Sequence, residues 1–176
     1  MLENHANPAG IVLTRQNIPT WERGTGDADG DTFASTAGVA KGGYVLAEAS
    51  AGGATAEAQV ILIGTGSEVQ LAVAAREALQ AEGIPTRVVS MPCVEWFNKQ
   101  DAAYREAVLP ANVKARVSVE AGLALGWKEF VGDAGRSISL EHFGASADYK
   151  RLFQEFGITA EAVAAAAKES LAGLTD

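Results

Sequence analysis

The chain has 176 residues, 48% of them hydrophobic and 20% charged, which is the profile of a globular domain able to bury a sizeable core. Lys and Arg number 14 against 22 Asp and Glu, a net charge of −8, and this excludes the clustered basic surface that nucleic acid or an anionic membrane demands. One cysteine, Cys93, excludes an internal disulfide and a cysteine-built zinc site; with no apolar run of 18 residues and no leader-like start, a cytoplasmic protein is expected.

The first expected element is a buried strand at Ile11–Asn17, apolar at its start and ending in a polar Arg15-Gln16-Asn17 tip. A buried parallel strand needs neighbours on both sides and helices over both faces. Only ten residues precede this one, so it is predicted to be the last piece of a domain whose bulk lies elsewhere. Residues 21–42 carry Gly24, Gly26, Gly30 and Gly38 with Asp27, Asp29 and Asp31, the composition of a linker. A calcium loop starting at Asp27 would require glycine and glutamate where Thr32 and Gly38 stand, which excludes an EF-hand.

From residue 43 the pattern becomes regular. Strands are expected at Tyr44–Glu48, Gln59–Ile63, Thr86–Ser90, Ala115–Val119 and Ser137–Leu140, with residues 50–58 a loop. The apolar run at 59–63 marks a strand buried on both faces. A helix should follow Gly64-Thr65-Gly66, opened by a Ser67/Gln70 capping box and closed near Gly83. Its apolar stripe is Val69, Ala72, Val73, Ala75 and Leu79. Further helices are expected at Glu95–Lys99, Gln100–Val108 (stopped by Pro110), Gly126–Val131, Ala147–Phe156 and Ala160–Leu171, the last capped by Thr159. The alternation predicts an α/β fold, a mostly parallel mixed sheet of about five strands with helices on both faces.

Chemistry-bearing residues are few. Gly64 to Ser67 lies between a strand and a helix N-terminus, where an anion can be held. A dinucleotide fingerprint would need a third glycine at Val69, so the glycines are read as shaping a turn. Glu120 and the pair Glu141-His142 stand at strand ends, the usual binding crevice of such sheets. A carboxylate–histidine pair can do acid–base work, yet neighbouring strand residues point to opposite faces, which favours structural roles. The other histidine is His5, too few for a three-histidine zinc site. Ser67 has no base in reach, and Cys93 reads as a core residue. Trp96, Phe97, Trp127, Phe130, Phe143, Phe153 and Phe156 read as packing residues. Arg15, at a strand exit, can clamp a phosphate or carboxylate with two prongs, or can form a surface salt bridge.

The tract Leu13-Thr14-Arg15-Gln16-Asn17-Ile18-Pro19 resembles the end of the pyrimidine-binding domain of transketolases, and Lys41-Gly42-Gly43-Tyr44-Val45-Leu46 the start of their C-terminal domain. Gly64-Thr65-Gly66-Ser67-Glu68-Val69, Val88-Val89-Ser90-Met91-Pro92, Gln100 to Arg105, Val108-Leu109-Pro110, Val119-Glu120-Ala121-Gly122 and Phe143 to Ala147 follow in the family's order. The resemblance implies residues 1–20 as the end of the pyrimidine-binding domain, 21–42 as a linker and 43–176 as the C-terminal domain. It implies a parent homodimer that transfers two-carbon ketol units between sugar phosphates in the pentose phosphate pathway, using thiamine diphosphate and a divalent cation (Mg2+ or Ca2+). The catalytic and cofactor-binding residues of the family belong to domains before this one, so no catalytic, cofactor or metal residue is carried over here. Arg15 alone is carried over, as the residue that binds the substrate's phosphate. The chain by itself is expected to be inert. Two other readings remain at this point: the C-terminal domain of a related thiamine diphosphate enzyme, or a free-standing α/β module that binds an anion at Gly64–Ser67.

Overall fold

The computed structural model describes residues 8–174. Along the chain run β1 (Tyr44–Ala47), a short hairpin of β2 (Ser50–Ala51) and β3 (Ala54–Thr55), β4 (Val60–Gly64), α1 (Val69–Ala81) and β5 (Thr86–Ser90). Then come α2 (Val94–Asn98), α3 (Ala102–Val108), β6 (Ala115–Val119), α4 (Lys128–Val131), β7 (Arg136–Ile138), α5 (Tyr149–Glu155) and α6 (Ala160–Ala172). The main sheet has five strands in the order β1-β5-β4-β6-β7. β4 pairs in parallel with both β5 and β6, and β7 extends β6 in parallel. β1 is antiparallel to β5, with a bulge between Val45 and Ala47, which makes the sheet mixed and twists its edge.

The central strand explains the layers. Every residue of β4 is buried, and its side chains alternate between two cores. Val60 and Leu62 meet α1 and α6 on one face, with Leu46, Val88, Val117 and Val119. Ile61 and Ile63 meet the residues of α2 to α4 on the other, among them Phe97, Val108, Trp127 and Phe130. Each fully buried side chain of this size contributes roughly 1.5–3 kcal/mol. Ala72 and Ala75 of α1 and Ala164, Ala166 and Ala167 of α6 are buried in the first core, where small side chains let helices approach closely. The chain steps from β4 to β5, then back across β4 to β6. Right-handed crossovers in opposite directions place the connecting helices on opposite faces. The connections leaving β4 and β6 therefore diverge, and a crevice opens at the C-terminal ends of these two strands.

Four expectations differ from what is observed. Ile11–Asn17 forms no strand: Ile11, Val12 and Leu13 are 65%, 98% and 80% exposed, and no described strand pairs with them. An apolar run with no ladder partner has nothing to hold it extended in a sheet. Residues 50–58, expected as a loop, contain the β2–β3 hairpin, whose turn uses Gly52 (φ +62°) and Gly53 (φ +83°). Positive φ at both turn positions matches the twist of a tight hairpin. The last strand is displaced, spanning Arg136–Ile138 rather than Ser137–Leu140. The Ser67/Gln70 capping box is not formed; the Ser67 hydroxyl is engaged elsewhere and Gln70 Nε2 donates to the Ser67 carbonyl at 2.9 Å.

Residues 21–42, read from composition as a linker, pack onto the domain. Arg23 Nη1 donates to Ala34 O and to the Tyr44 hydroxyl, each at 3.2 Å, and the Trp21 and Phe33 rings meet at 5.4 Å. Arg76 of α1 reaches Gly30 O at 3.2 Å, Glu48 O at 2.7 Å and the Asp31 carboxylate at 3.1 Å. Asp31 is held below the usual carboxylate range by hydrogen bonds from Ser50 and Arg76. Glycine and aspartate here serve tight backbone pairing, such as Gly24 N to Phe33 O at 2.8 Å, instead of loose chain. Edge strand β1 is tied in turn by Glu48, whose carboxylate takes a two-pronged bond from Arg87 Nε and Nη2, both at 3.0 Å. Arg87 Nη1 also donates to Ala107 O at 2.8 Å and so fastens the end of α3.

Candidate functional site at the strand ends

The crevice is built by two turns, Gly64–Glu68 after β4 and Glu120–Gly122 after β6. Gly64 allows α1 to close on the strand, since a Cβ there would lie 3.0 Å from Val69 Cα. The next residues form a single 3-10 turn, Gly66–Glu68, before α1 begins. This turn points the side chains of Ser67 and Glu68 into the crevice region, where both residues are only 7% exposed.

Glu68 is the unusual group. With no cation paired to it among the described residues, this buried carboxyl is held by hydrogen bonds. The Ser67 hydroxyl donates to Glu68 Oε1 at 2.5 Å, and the Ala121 N–H lies 3.5 Å from Oε2. Burial raises the pKa of Glu68, and the negative field of Glu120 adds to the rise; the bonds from Ser67 and Ala121 oppose it. Glu120 itself accepts from Trp127 Nε1 at 2.8 Å. Because the folded-state value is raised, the contribution of Glu68 to stability is complete below its unfolded value. It is lost as pH rises through the folded value. Glu68→Gln, which stays neutral, is therefore expected to raise Tm relative to the parent at pH 8 while having no such advantage at pH 4. Thermal melts across that range check it; an equal effect of the substitution at both pH values would contradict it.

The expected strand-end residues do not converge. Glu141 is exposed and accepts from the Ala124 N–H at 2.9 Å and from Ser139 Oγ at 2.8 Å, and these bonds lower its pKa. His142 turns away to stack edge-on against Phe156 at 4.8 Å, with Nδ1 against Phe143 O. No hydrogen bond joins Glu141, His142 and Glu120 among the described residues. Glu141 ties the turns after β6 and β7 together through the Ala124 N–H, and the three side chains are not joined as an acid–base pair. Cys93 is half-buried, 3.5 Å from Glu95 Oε2. His5 lies outside the described residues.

Arg15 is exposed, with no ion pair to any described residue. Its neighbour Gln16 folds back onto the crevice, and Gln16 Nε2 donates to Ser67 Oγ at 2.7 Å. The side chain of Gln16 thus closes over the Gly64–Ser67 turn, and Glu68 brings an acidic group to the same place. An anion at that turn, one of the open readings, would meet the Glu68 carboxyl group that the Ser67 hydroxyl holds there. Gln16 and Glu68 were not singled out as site residues from the sequence. A lone acidic residue two positions after a Gly-x-Gly strand end is the one signal that marks Glu68.

Comparison with known proteins identifies the setting. A family model described as the transketolase-like C-terminal domain matches residues 42–159. The chain belongs to the transketolase family. It is 55% identical over 168 residues to the transketolase of Mycobacterium bovis, an alignment covering 96% of this chain and 23% of that protein. It is 47% identical to transketolase 1 of Escherichia coli, over 97% of this chain and 24% of that protein. Among solved structures, a transketolase of Pichia stipitis in complex with sedoheptulose 7-phosphate superposes with a TM-score of 0.71 at 34% identity. That match covers 85% of this chain and 20% of the other. The chain thus spans about a quarter of the length of the curated transketolases that it matches, and its mixed sheet is that of the transketolase C-terminal domain.

Proposed function

We propose that the chain works as the C-terminal quarter of a cytoplasmic, homodimeric transketolase, which moves two-carbon ketol units between sugar phosphates. The observation that carries this is the alignment of 96% of the chain, at 55% identity, with a transketolase. The order of domains follows: residues 1–20 complete a preceding pyrimidine-binding domain, 21–42 connect, and 43–176 are the C-terminal domain. Arg15 is the residue assigned to the phosphate of the sugar. Its exposure, with no described acidic partner, leaves the guanidinium free for a bidentate bond.

Thiamine diphosphate and a divalent cation supply the carbon chemistry of such an enzyme. The described residues of this chain do not fit that pair. They contain no group of three or more His, Cys, Asp and Glu side chains placed to hold a metal ion. At the glycine turn of β4 the Ser67 hydroxyl already donates to Glu68 and accepts from Gln16, so it has no proton left for a diphosphate. The chain's own contribution is packing and substrate orientation. Leu123, Leu125 and Phe143, 60%, 88% and 98% exposed beyond the strand ends, favour packing against the rest of the enzyme at this end of the sheet. Calorimetric titration of the purified chain with thiamine diphosphate and Mg2+ tests the assignment. No saturable heat is expected; stoichiometric binding would overturn it.

A further inference from the structure

We propose that Ser67 and Glu68 are positioning residues for Arg15, so that the C-terminal domain sets the aim of the phosphate-binding arginine. This rests on the reading of Arg15 given above.

The geometry is a directed relay. Among residues 11–17 Gln16 alone is half-buried and the rest are exposed, and its side chain bonds the turn after β4, while Ile18, Pro19 and Thr20 line a cavity with Gly66, Val69 and Ser90. The Gln16 carboxamide is held at both ends. Its Oε1 accepts from Thr14 Oγ1, and its Nε2 donates to Ser67 Oγ at 2.7 Å. Ser67 has one hydroxyl proton, and it goes to Glu68 Oε1 at 2.5 Å. With that proton committed, the lone pairs of Ser67 are left to accept, which is what the Gln16 amide requires. Glu68 therefore fixes the polarity of the relay as well as its position. The relay is nearly buried at its root, with Ser67 and Glu68 each 7% exposed, and water competes poorly there. Glu68 is braced in turn by the β6 turn, through the Ala121 N–H. The backbone of Arg15, between two residues of the relay, is held by a chain of contacts that begins at the ends of β4 and β6.

The test has two arms. In the first, the chain is digested briefly with trypsin, and release of residues 1–15 is followed by mass spectrometry. Ser67→Ala should speed cleavage after Arg15 about fivefold, the scale of one lost neutral hydrogen bond. Cleavage within 43–174 should stay unchanged, and Ser67→Thr, which keeps the hydroxyl, should restore protection. In the second arm, the complete enzyme containing the chain is assayed with a sugar phosphate donor. Ser67→Ala and Gln16→Ala should each raise KM about fivefold at unchanged kcat, and the double variant should match either single one. Unchanged trypsin cleavage in Ser67→Ala overturns the proposal, as do additive effects in the double variant. If KM is unmoved by Ser67→Ala but rises in Arg15→Ala, the positioning role falls and the reading of Arg15 stands. If Arg15→Ala also leaves KM unmoved, the reading of Arg15 falls, and the positioning role with it.

Discussion

In the complete enzyme, Arg15→Ala is expected to raise the KM for a sugar phosphate about a hundredfold and to leave kcat within about threefold. In the proposed reading the guanidinium bonds a non-reacting end of the substrate. Binding of that kind is felt equally in the ground state and the transition state, so its loss appears in KM. Two charge-assisted hydrogen bonds at roughly 1.5 kcal/mol each give the magnitude. The effect should vanish with an unphosphorylated sugar donor, because Arg15 then has nothing to hold. Arg15→Lys should recover only part of the loss, since an ammonium cannot make the planar two-pronged bond. Steady-state kinetics with paired phosphorylated and unphosphorylated donors measure this. An equal loss for both donors would show that Arg15 acts on the fold or on the reacting end instead.

The largest effect on stability is expected at Arg116. This guanidinium has no acidic partner among the described residues. It donates to four carbonyls: Val113 O at 2.9 Å, Phe130 O at 2.8 Å, Leu109 O at 3.1 Å and Pro110 O at 2.8 Å. Burial lowers its pKa, opposed only by the distant field of Glu106, so the charge is retained at a desolvation cost that those bonds offset. Its position explains the arrangement: Arg116 lies on β6, directly beneath the loop that follows α3 and the end of α4. Arg116→Met keeps the stem and removes every donor, so each of the four carbonyls loses the bond that Arg116 supplies, and Pro110 O keeps only the Val113 N–H at 3.0 Å. A loss of about 3 kcal/mol is expected, in line with charge-assisted bonds of roughly 1.5–3 kcal/mol each, part of which water recovers. Urea denaturation reads this as a shift of the midpoint at constant slope. A loss under about 1 kcal/mol would mean that the loop finds other donors.

The sequence marks these two arginines differently. Arg15 is assigned by its place in a tract that resembles transketolases, and its role stands as a proposal. Nothing local distinguishes Arg116 or Arg76 from surface cations on a strand and a helix, because the partners of Arg116 are backbone carbonyls and those of Arg76 are carbonyls and an aspartate far away in sequence. The sheet follows the same division. The uninterrupted run Val60–Ile63 is explained by burial on both faces, and it occupies the centre of the sheet as expected. The direction of β1 leaves no mark in Tyr44–Ala47, since an antiparallel edge strand and a parallel one share the same apolar pattern. Gly52-Gly53 was read as loop because two flanking pairs of residues are too short to show a period. Residues 21–42 carry few large apolar side chains, and Trp21, Phe33 and Arg23 are enough to fasten them. Ile11–Asn17 shows the opposite limit: its pattern is that of a strand, but a strand exists only where another offers its ladder. The crevice at the β4 and β6 ends follows from chain topology, whereas the Gln16–Ser67–Glu68 relay inside it depends on side-chain contacts across 51 residues of chain.

In the proposed reading this chain orients substrate and packs the enzyme, and the groups that carry ketol transfer lie outside it. The decisive assay takes the purified chain with a ketose phosphate donor, an aldose phosphate acceptor, thiamine diphosphate and Mg2+, with no other protein present. No product above the protein-free control is expected at any cofactor concentration. Product that scales with the amount of chain added would contradict it and would place a complete ketol-transfer site within these 176 residues.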